Sequence, residues 1–479
     1  MKDCKSFSRR LFLKRIGYTG AVVGAQLIVS VNSYGMGGIV SPNERVCVAL
    51  IGCGLMGKGH LRRLAGDSAF ELLAVCDVDK VRREEALDIV NAIYSSRRAK
   101  NSNTGCKAYN DYREILIRSD IDAVVIVTPD HWHSLMSIEA AKAGKDIYCE
   151  KPVSLTVREG RIMADAVKRH SRVFQTGTQY RSTPVIRQVC EFVRNGGLGE
   201  KVRAFTVLDK LMGFLGAERF KPYEKYLDRD VKGRFYYPTE FALPAEEAPD
   251  GLDWDLWVGP ADWHPYNRLY HINPSPGVVP WSFCEAFGAA ANTWYLSHSA
   301  DVIQYALGVE KSGPVEIIHP VDGLYPTLTF RYANGSILHF VDHWGMVKDL
   351  YNAVPKDARL AGNFGGVFVG RDGWITSMSI GGPIEGGPPS VFERIKLKTR
   401  EVNVGTNNHH SNWLECIKTR NSPSSDEEIG HRSAAVGHLA MISYKLGRSL
   451  RWSPEKEEFI GDAEANRLLF RALREPYRF

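Results

Sequence analysis

The glycines of Gly52-Cys53-Gly54-Leu55-Met56-Gly57 have the spacing of a turn that brings backbone N–H groups close to a phosphate. The first turns the chain, the second leaves room for a pyrophosphate, and the third lets the next helix pack on the preceding strand. The N-terminus of that helix favours the negative charge. Asp77, 20 residues beyond Gly57, can accept both ribose hydroxyls of an adenosine. A carboxylate there repels a 2′-phosphate, so the pattern predicts NAD over NADP, a preference tempered by Arg82 and Arg83 nearby. Two more stretches carry proton-moving and hydroxyl-binding groups: Thr128-Pro129-Asp130-His131-Trp132-His133 and Cys149-Glu150-Lys151-Pro152. Further on, His298 reads as a general base or as a satisfied core histidine, and Asp301, one helical turn later, orients its ring or bonds backbone.

These groups need elements to hold them. Arg45–Ile51 is an apolar run without strict alternation, as in a parallel strand buried on both faces. A helix follows through Ala65, then a strand over Glu71–Cys76. The alternation continues with helix Asp111–Arg118, strand Ala123–Val127, helix Ser134–Ala143, strand Asp146–Tyr148 and helix Thr156–His170. Repeated βα units imply a doubly wound parallel sheet, whose ligands collect at the carboxyl ends of the strands. Both polar stretches fall at such ends.

The second half reads differently. A helix over Pro184–Arg194 and a strand over Lys201–Leu208 precede a long aromatic, proline-rich segment, Lys210–Trp281. Its blocks Leu252–Pro260 and Trp263–Arg268 suit either a wall on which sugar faces stack or clamps that hold a long loop down. Turn signals at Asn334-Gly335 and Asp372-Gly373 between strand-like runs imply hairpins and an open, largely antiparallel sheet. Gly345–Pro389 reads as loops, and helical patterns return at His410–Thr419, Ser433–Leu446 and Glu457–Leu473. The fold class is α/β: a Rossmann domain over 44–175, then an α+β domain over 176–479.

The chain has 479 residues, 44% apolar and 24% charged, which argues against disorder and against a multi-span membrane protein. Of the net charge of +6, all but about +1 comes from the first fifteen residues, so the body offers no electrostatic support for nucleic acid or an anionic membrane. That front carries Ser8-Arg9-Arg10-Leu11-Phe12-Leu13-Lys14 and then an uncharged stretch to Gly35. Residues 1–35 resemble a twin-arginine export signal, which implies the export translocase as a partner and a periplasmic location. The nine cysteines show no CxxC spacing and read as buried free thiols. His409-His410 lacks an acidic or cysteine partner at ligand spacing, so no metal is expected.

The glycine turn, Thr128–His133, Ala143-Gly144-Lys145-Asp146 leading into Glu150-Lys151-Pro152, Gly177-Thr178-Gln179-Tyr180-Arg181, and His298 with Asp301 together resemble the Gfo/Idh/MocA family of nicotinamide oxidoreductases. The resemblance implies that Lys151 lies by the nicotinamide and the substrate hydroxyl and, with His298, relays the proton. It implies cofactor contacts from Gly52, Gly54, Leu55, Met56, Gly57 and Asp77, from Thr128, Pro129, Trp132 and His133, the last at the nicotinamide ribose, and from Glu150, Lys151 and Gln179. Substrate contacts fall to Tyr180, Arg181, Trp294, His298 and Asp301; Trp294 stands where family members commonly carry an aspartate. His131 reads as a loop residue.

The family's members act on sugars, cyclitols and other small molecules, so the expected substrate is a carbohydrate, and the expected assembly is a dimer or tetramer formed through the C-terminal sheet. Soluble NAD is scarce outside the cytoplasm, so an enzyme exported folded should keep NAD tightly bound. Three readings follow: a carbohydrate oxidoreductase, a glycosidase or epimerase that oxidises a ring hydroxyl transiently, and a non-catalytic sugar-binding module.

Overall fold

The computed structural model describes residues 44–97, 105–207, 243–272, 280–288, 290–360, 365–377, 382–398 and 408–479. The export segment expected at 1–35 lies outside them.

The first sheet is wholly parallel. Its strands are β1 (Val46–Ile51), β2 (Phe70–Cys76), β3 (Lys107–Tyr109), β4 (Ala123–Ile126), β5 (Asp146–Cys149) and β6 (Phe174–Thr176), in the order β3-β2-β1-β4-β5-β6. Between them run α1 (Leu55–Gly66), α2 (Lys80–Arg97), α3 (Tyr112–Leu116), α4 (Asp130–Lys142) and α5 (Val157–Arg169). Every residue of β2 and β4 is buried, which is why these strands read as unbroken apolar runs. The strand order reverses between β1 and β4, so a cleft opens where Gly52 and Val127 leave the sheet.

Helix α4 begins four residues earlier than its periodicity suggests. Pro129 precedes it, Asp130 sits in the first turn against the positive helix end, and burial nearly all round removes the polar face that would have marked the start. Asp130, His131, Trp132 and His133 therefore form a buried helical turn instead of a loop.

The chain continues through α6 (Pro184–Arg194), β7 (Arg203–Val207), α7 (Trp254–Val258), α8 (Arg268–His271), α9 (Ala290–Leu307), β8 (Pro314–Ile318), β9 (Thr329–Tyr332), β10 (Ile337–Val341) and α10 (Gly345–Leu350). It closes with β11 (Val367–Gly370), β12 (Gly373–Ser377), β13 (Ile384–Gly387), α11 (Pro389–Lys398), α12 (His409–Thr419), α13 (Glu427–Leu446), β14 (Leu450–Ser453), β15 (Glu458–Phe459) and α14 (Ala463–Arg467). The second sheet has nine strands in the order β13-β12-β11-β7-β10-β9-β8-β14-β15. It is antiparallel except for the pair β7–β10.

Three expectations need correction. Gly345–Pro389, expected as loops apart from the hairpin turn at Asp372-Gly373, carries α10, β11, β12 and β13; that turn joins β11 to β12, and both strands are buried throughout and show no alternation. Glycines at the two ends of β11 serve packing: a Cβ on Gly366, just before it, would lie 2.8 Å from Ile303 on α9, and one on Gly370 would lie 2.2 Å from the Leu198 carbonyl. Glu457–Leu473 is not a helix; Gly461, at φ +72°, separates β15 from the short α14. Helix α13 starts at Glu427, because the Asp426 side chain accepts from the Ile429 N–H and caps it there.

The main core of the second half joins α6, α9 and α13 to the sheet. Helix α12 instead returns to the first sheet, with Trp413 fully buried against Phe70 at a ring separation of 6.0 Å. Among the described residues the cysteines are free thiols, and only Cys47 is not buried.

Candidate active site

The glycine turn and α1 form one edge of a cavity of about 510 Å³. Two of the three glycines are demanded by the protein itself. A Cβ on Gly52, at φ +96°, would sit 2.4 Å from the Val127 carbonyl oxygen, and one on Gly57 would sit 2.0 Å from that of Gly52. Gly54 differs: its nearest neighbour would be an Arg82 nitrogen at 3.9 Å. Its missing side chain keeps open a space that protein does not fill. The first turn of α1 has no side-chain cap and no acidic residue, so its N–H groups and helix dipole are available to an anion beside Gly54.

At the end of β2, Asp77 is buried, with Oδ2 accepting from the Cys53 N–H at 2.7 Å and Oδ1 from the Asp79 N–H at 3.0 Å. Burial raises its pKa and outweighs the opposing pull of Arg82. Arg82 and Arg83 are both committed. Arg82 donates to the His271 carbonyl at 2.5 Å and lies 3.4 Å from Asp79; Arg83 donates to the carbonyl of Asp77 and to Asn110. Neither guanidinium is held in reserve for a 2′-phosphate, and the turn, the uncapped helix and Asp77 fit NAD.

The opposite wall contains Thr128, Pro129, Trp132, His133, Glu150 and Lys151. Both nitrogens of His133 face backbone carbonyls, Nδ1 to Pro152 at 2.6 Å and Nε2 to Thr128 at 2.8 Å. The ring staples the two polar stretches together and leaves no nitrogen for the ribose contact expected of it. Lys151 is buried, and desolvation lowers its pKa although Glu150 and Asp130 oppose the shift. Glu150 behaves oppositely. Burial raises its pKa, but the His60 hydrogen bond and the charges of His60 and Lys151 prevail and hold it at about 2. Its Oε1 also accepts from Gln179 at 2.8 Å, and Gln179 donates to the Tyr148 hydroxyl, so Gln179 acts from behind the wall.

His298 lies on α9, with Tyr180 against its ring at 4.3 Å. Burial lowers its pKa, and the nearby Lys151 charge lowers it further, which puts the two residues in electrostatic reach of each other. Arg181 and Asp301, expected at the substrate, pair with each other instead. Arg181 Nε and Nη2 each lie 2.7 Å from an Asp301 carboxylate oxygen, Ser433 donates to that carboxylate, and both charges are buried. The bidentate pair consumes the groups a sugar hydroxyl would need and locks the 179–182 turn to α9. Trp294 falls within α9, and its side chain lies outside the described residues.

Sequence reasoning missed one wall. Leu256, Trp257, Tyr270, His271, Ile272 and Trp281 line the same cavity. Of the two aromatic blocks, read as a sugar wall or as loop clamps, Leu252–Pro260 reaches the cavity through Leu256 and Trp257, and Trp254 and Trp257 stack on each other at 4.6 Å. His131, read as a loop residue, is buried between the carbonyls of Phe287 and Trp257. Among the described residues no cluster of three metal-ligating side chains occurs.

Comparison with known proteins agrees with this construction. Residues 46–178 match the Gfo/Idh/MocA oxidoreductase family, NAD-binding Rossmann fold, and residues 394–479 match the same family's C-terminal alpha/beta domain. Over these two stretches the chain is similar to the Gfo/Idh/MocA family. A levoglucosan dehydrogenase from Pseudarthrobacter phenanthrenivorans is 37% identical over 157 residues, 33% of this chain and 39% of that protein. A glycosyl hydrolase family 109 protein from Shewanella woodyi is 30% identical over 312 residues, 56% of this chain and 64% of that protein. The chain thus spans between 39% and 64% of the length of these relatives. An NAD-binding protein from Listeria innocua shares the fold at a TM-score of 0.52 and 15% identity, covering 85% of this chain and 97% of that one. The WlbA dehydrogenase from Bordetella pertussis, solved with NADH and UDP-GlcNAcA, does so at 0.50 and 16%, covering 85% and 98%.

Proposed function

We propose that this protein is an exported NAD-dependent oxidoreductase that moves a hydride between the nicotinamide and a secondary hydroxyl of a sugar, glycoside or cyclitol. The observation that carries the reading is the buried Lys151 in the cavity wall just past the end of β5, with a lowered pKa and with His298 in electrostatic reach. Bound in the cavity, NAD supplies the hydride acceptor and donor. The residues of the chain handle the proton: Lys151 holds it at the reacting hydroxyl, and His298 passes it on. Asp77 and the backbone of the glycine turn hold the adenosine ribose and the pyrophosphate. The Arg9-Arg10 pattern and the uncharged stretch after it support export by the twin-arginine route to the periplasm. The extended second sheet supports assembly of copies through that face.

A second reading is redox-neutral cleavage of a glycoside. The alignment with the family 109 glycosyl hydrolase protein reaches over 312 residues, against 157 for the dehydrogenase, and therefore continues past the dinucleotide half. Incubation with NAD and a glycoside panel separates the two. A keto-sugar with stoichiometric NADH supports the oxidoreductase, free aglycone without net NADH supports the glycosidase, and neither product from any carbohydrate removes both.

A further inference from the structure

The segment from Leu243 to Ile272, with Cys284 and Phe287, has a small core of its own, in which Trp254, Trp257, Tyr270 and Phe287 pack edge and face. It follows the dinucleotide half by more than sixty residues, yet it is fastened across the mouth of that half at three places. Beside the end of β2, the Asp253 N–H donates to the Val78 carbonyl at 3.1 Å and the Lys80 N–H to that of Gly251 at 3.0 Å. At the start of α2, Arg82 grips the His271 carbonyl at 2.5 Å, and His271 Nε2 lies 3.1 Å from Asp79 Oδ2. At the start of α4, the Trp132 indole donates to the Trp257 carbonyl at 3.1 Å, and the His131 ring lies between that carbonyl and the one of Phe287. The fit is close: a Cβ on Gly259 would meet the Trp132 ring at 2.0 Å.

These fastenings straddle Asp77. Its neighbour Val78 is bonded to the segment, and the inward face of the segment supplies Trp257, Tyr270 and His271 to the cavity. We propose that Leu243–Ile272 is a retention wall of the cofactor site, latched by His271 to Asp79 and Arg82, that slows exchange of bound NAD. The proposal rests on NAD occupying the cavity. It adds that the adenosine end is enclosed by residues from the far side of the sequence. A dinucleotide leaving past this wall must first break the latch, so the latch acts on the release rate. The same contacts hold Arg82 away from a 2′-phosphate, which strengthens discrimination against NADP beyond what Asp77 alone supplies.

The test is exchange of NAD bound to the full-length protein against excess labelled NAD, with wild type compared with His271→Ala and Arg82→Leu. Release should speed up about tenfold or more in each variant, and because entry passes the same latch kon should rise along with koff. A second measurement uses wild type only: NAD should slow hydrogen exchange at the amides of 251–258. Folded variants that release NAD at the wild-type rate, or amides indifferent to NAD, overturn the retention wall while leaving NAD binding intact. A wild-type protein that neither carries bound NAD nor takes up added NAD overturns the cofactor reading and the wall together.

Discussion

His60 on α1 donates from Nε2 to Glu150 Oε1 at 2.9 Å, so one buried hydrogen bond joins the helix that faces the pyrophosphate to the residue preceding Lys151. A carboxylate only accepts, which places a proton on Nε2, and His60 Nδ1 lies 3.1 Å from His410 Nε2. His60 is a positioning residue. His60→Leu should lower kcat about tenfold or more, with a smaller change in KM and an acid limb of the pH profile moved upward. His60→Gln, which keeps a donor, should recover part of the loss. Steady-state kinetics across pH check this, and parallel profiles for all three proteins would remove His60 from the mechanism.

Lys151→Ala should reduce turnover by about two orders of magnitude or more, with NAD still bound. Because burial lowers the Lys151 pKa from the ordinary 10.5, oxidation by the wild type should reach its plateau at a lower pH than a solvated lysine would allow. Turnover of Lys151→Ala near the wild-type level would show that another group moves the proton.

The glycine turn separates folding from binding. Gly54→Ala places a methyl group in open cavity, so the protein should fold normally while the NAD Kd rises about tenfold or more, a loss of ~1.4 kcal/mol. Gly57→Ala drives a Cβ to 2.0 Å from the Gly52 carbonyl and should lower stability before any ligand is added. Calorimetric titration and thermal melts distinguish the two; equal NAD affinity in Gly54→Ala and wild type would mean that no phosphate passes there.

Asp301→Ala leaves the buried Arg181 guanidinium without its bidentate partner and should destabilise the fold by about 3–5 kcal/mol. Replacing both, as Arg181→Met with Asp301→Leu, should destabilise less, because no uncompensated charge remains. Urea titrations of the single and double variants decide it.

Acid should weaken the joint between α5 and α13. Burial raises the Glu428 pKa, but hydrogen bonds from Arg161 and Arg432 outweigh it and hold the group at about 2, against an ordinary 4.5. A depressed carboxylate pKa contributes stability above the unfolded value, and that contribution fades as pH falls from about 4.5 toward 2. Melting temperatures recorded from pH 6 to pH 3 should fall less steeply for Glu428→Gln than for wild type.

Much of this was legible in the sequence because its causes are local. The glycine spacing, the Asp77 offset and the βα alternation each report geometry within about twenty residues, and helix α6 begins and ends where its proline and asparagine put it. The Asn334-Gly335 hairpin is equally local, with Gly335 at φ +81°. Where burial is complete the pattern fades, and so the first turn of α4 passed for a loop, while β11 and β12 were marked by the Asp372-Gly373 turn between them and not by alternation.

What the chain order determined alone is the presence of an NAD-type turn and the identity of the residues at the ends of its strands. The tertiary structure decided their partners. His60 meets His410 across 350 positions, Arg181 meets Asp301 across 120, and His271 reaches Asp79 from the second half of the chain. Such pairs form because packing the two halves brings buried polar groups together, and each must find a partner there; no periodicity along the chain records which one.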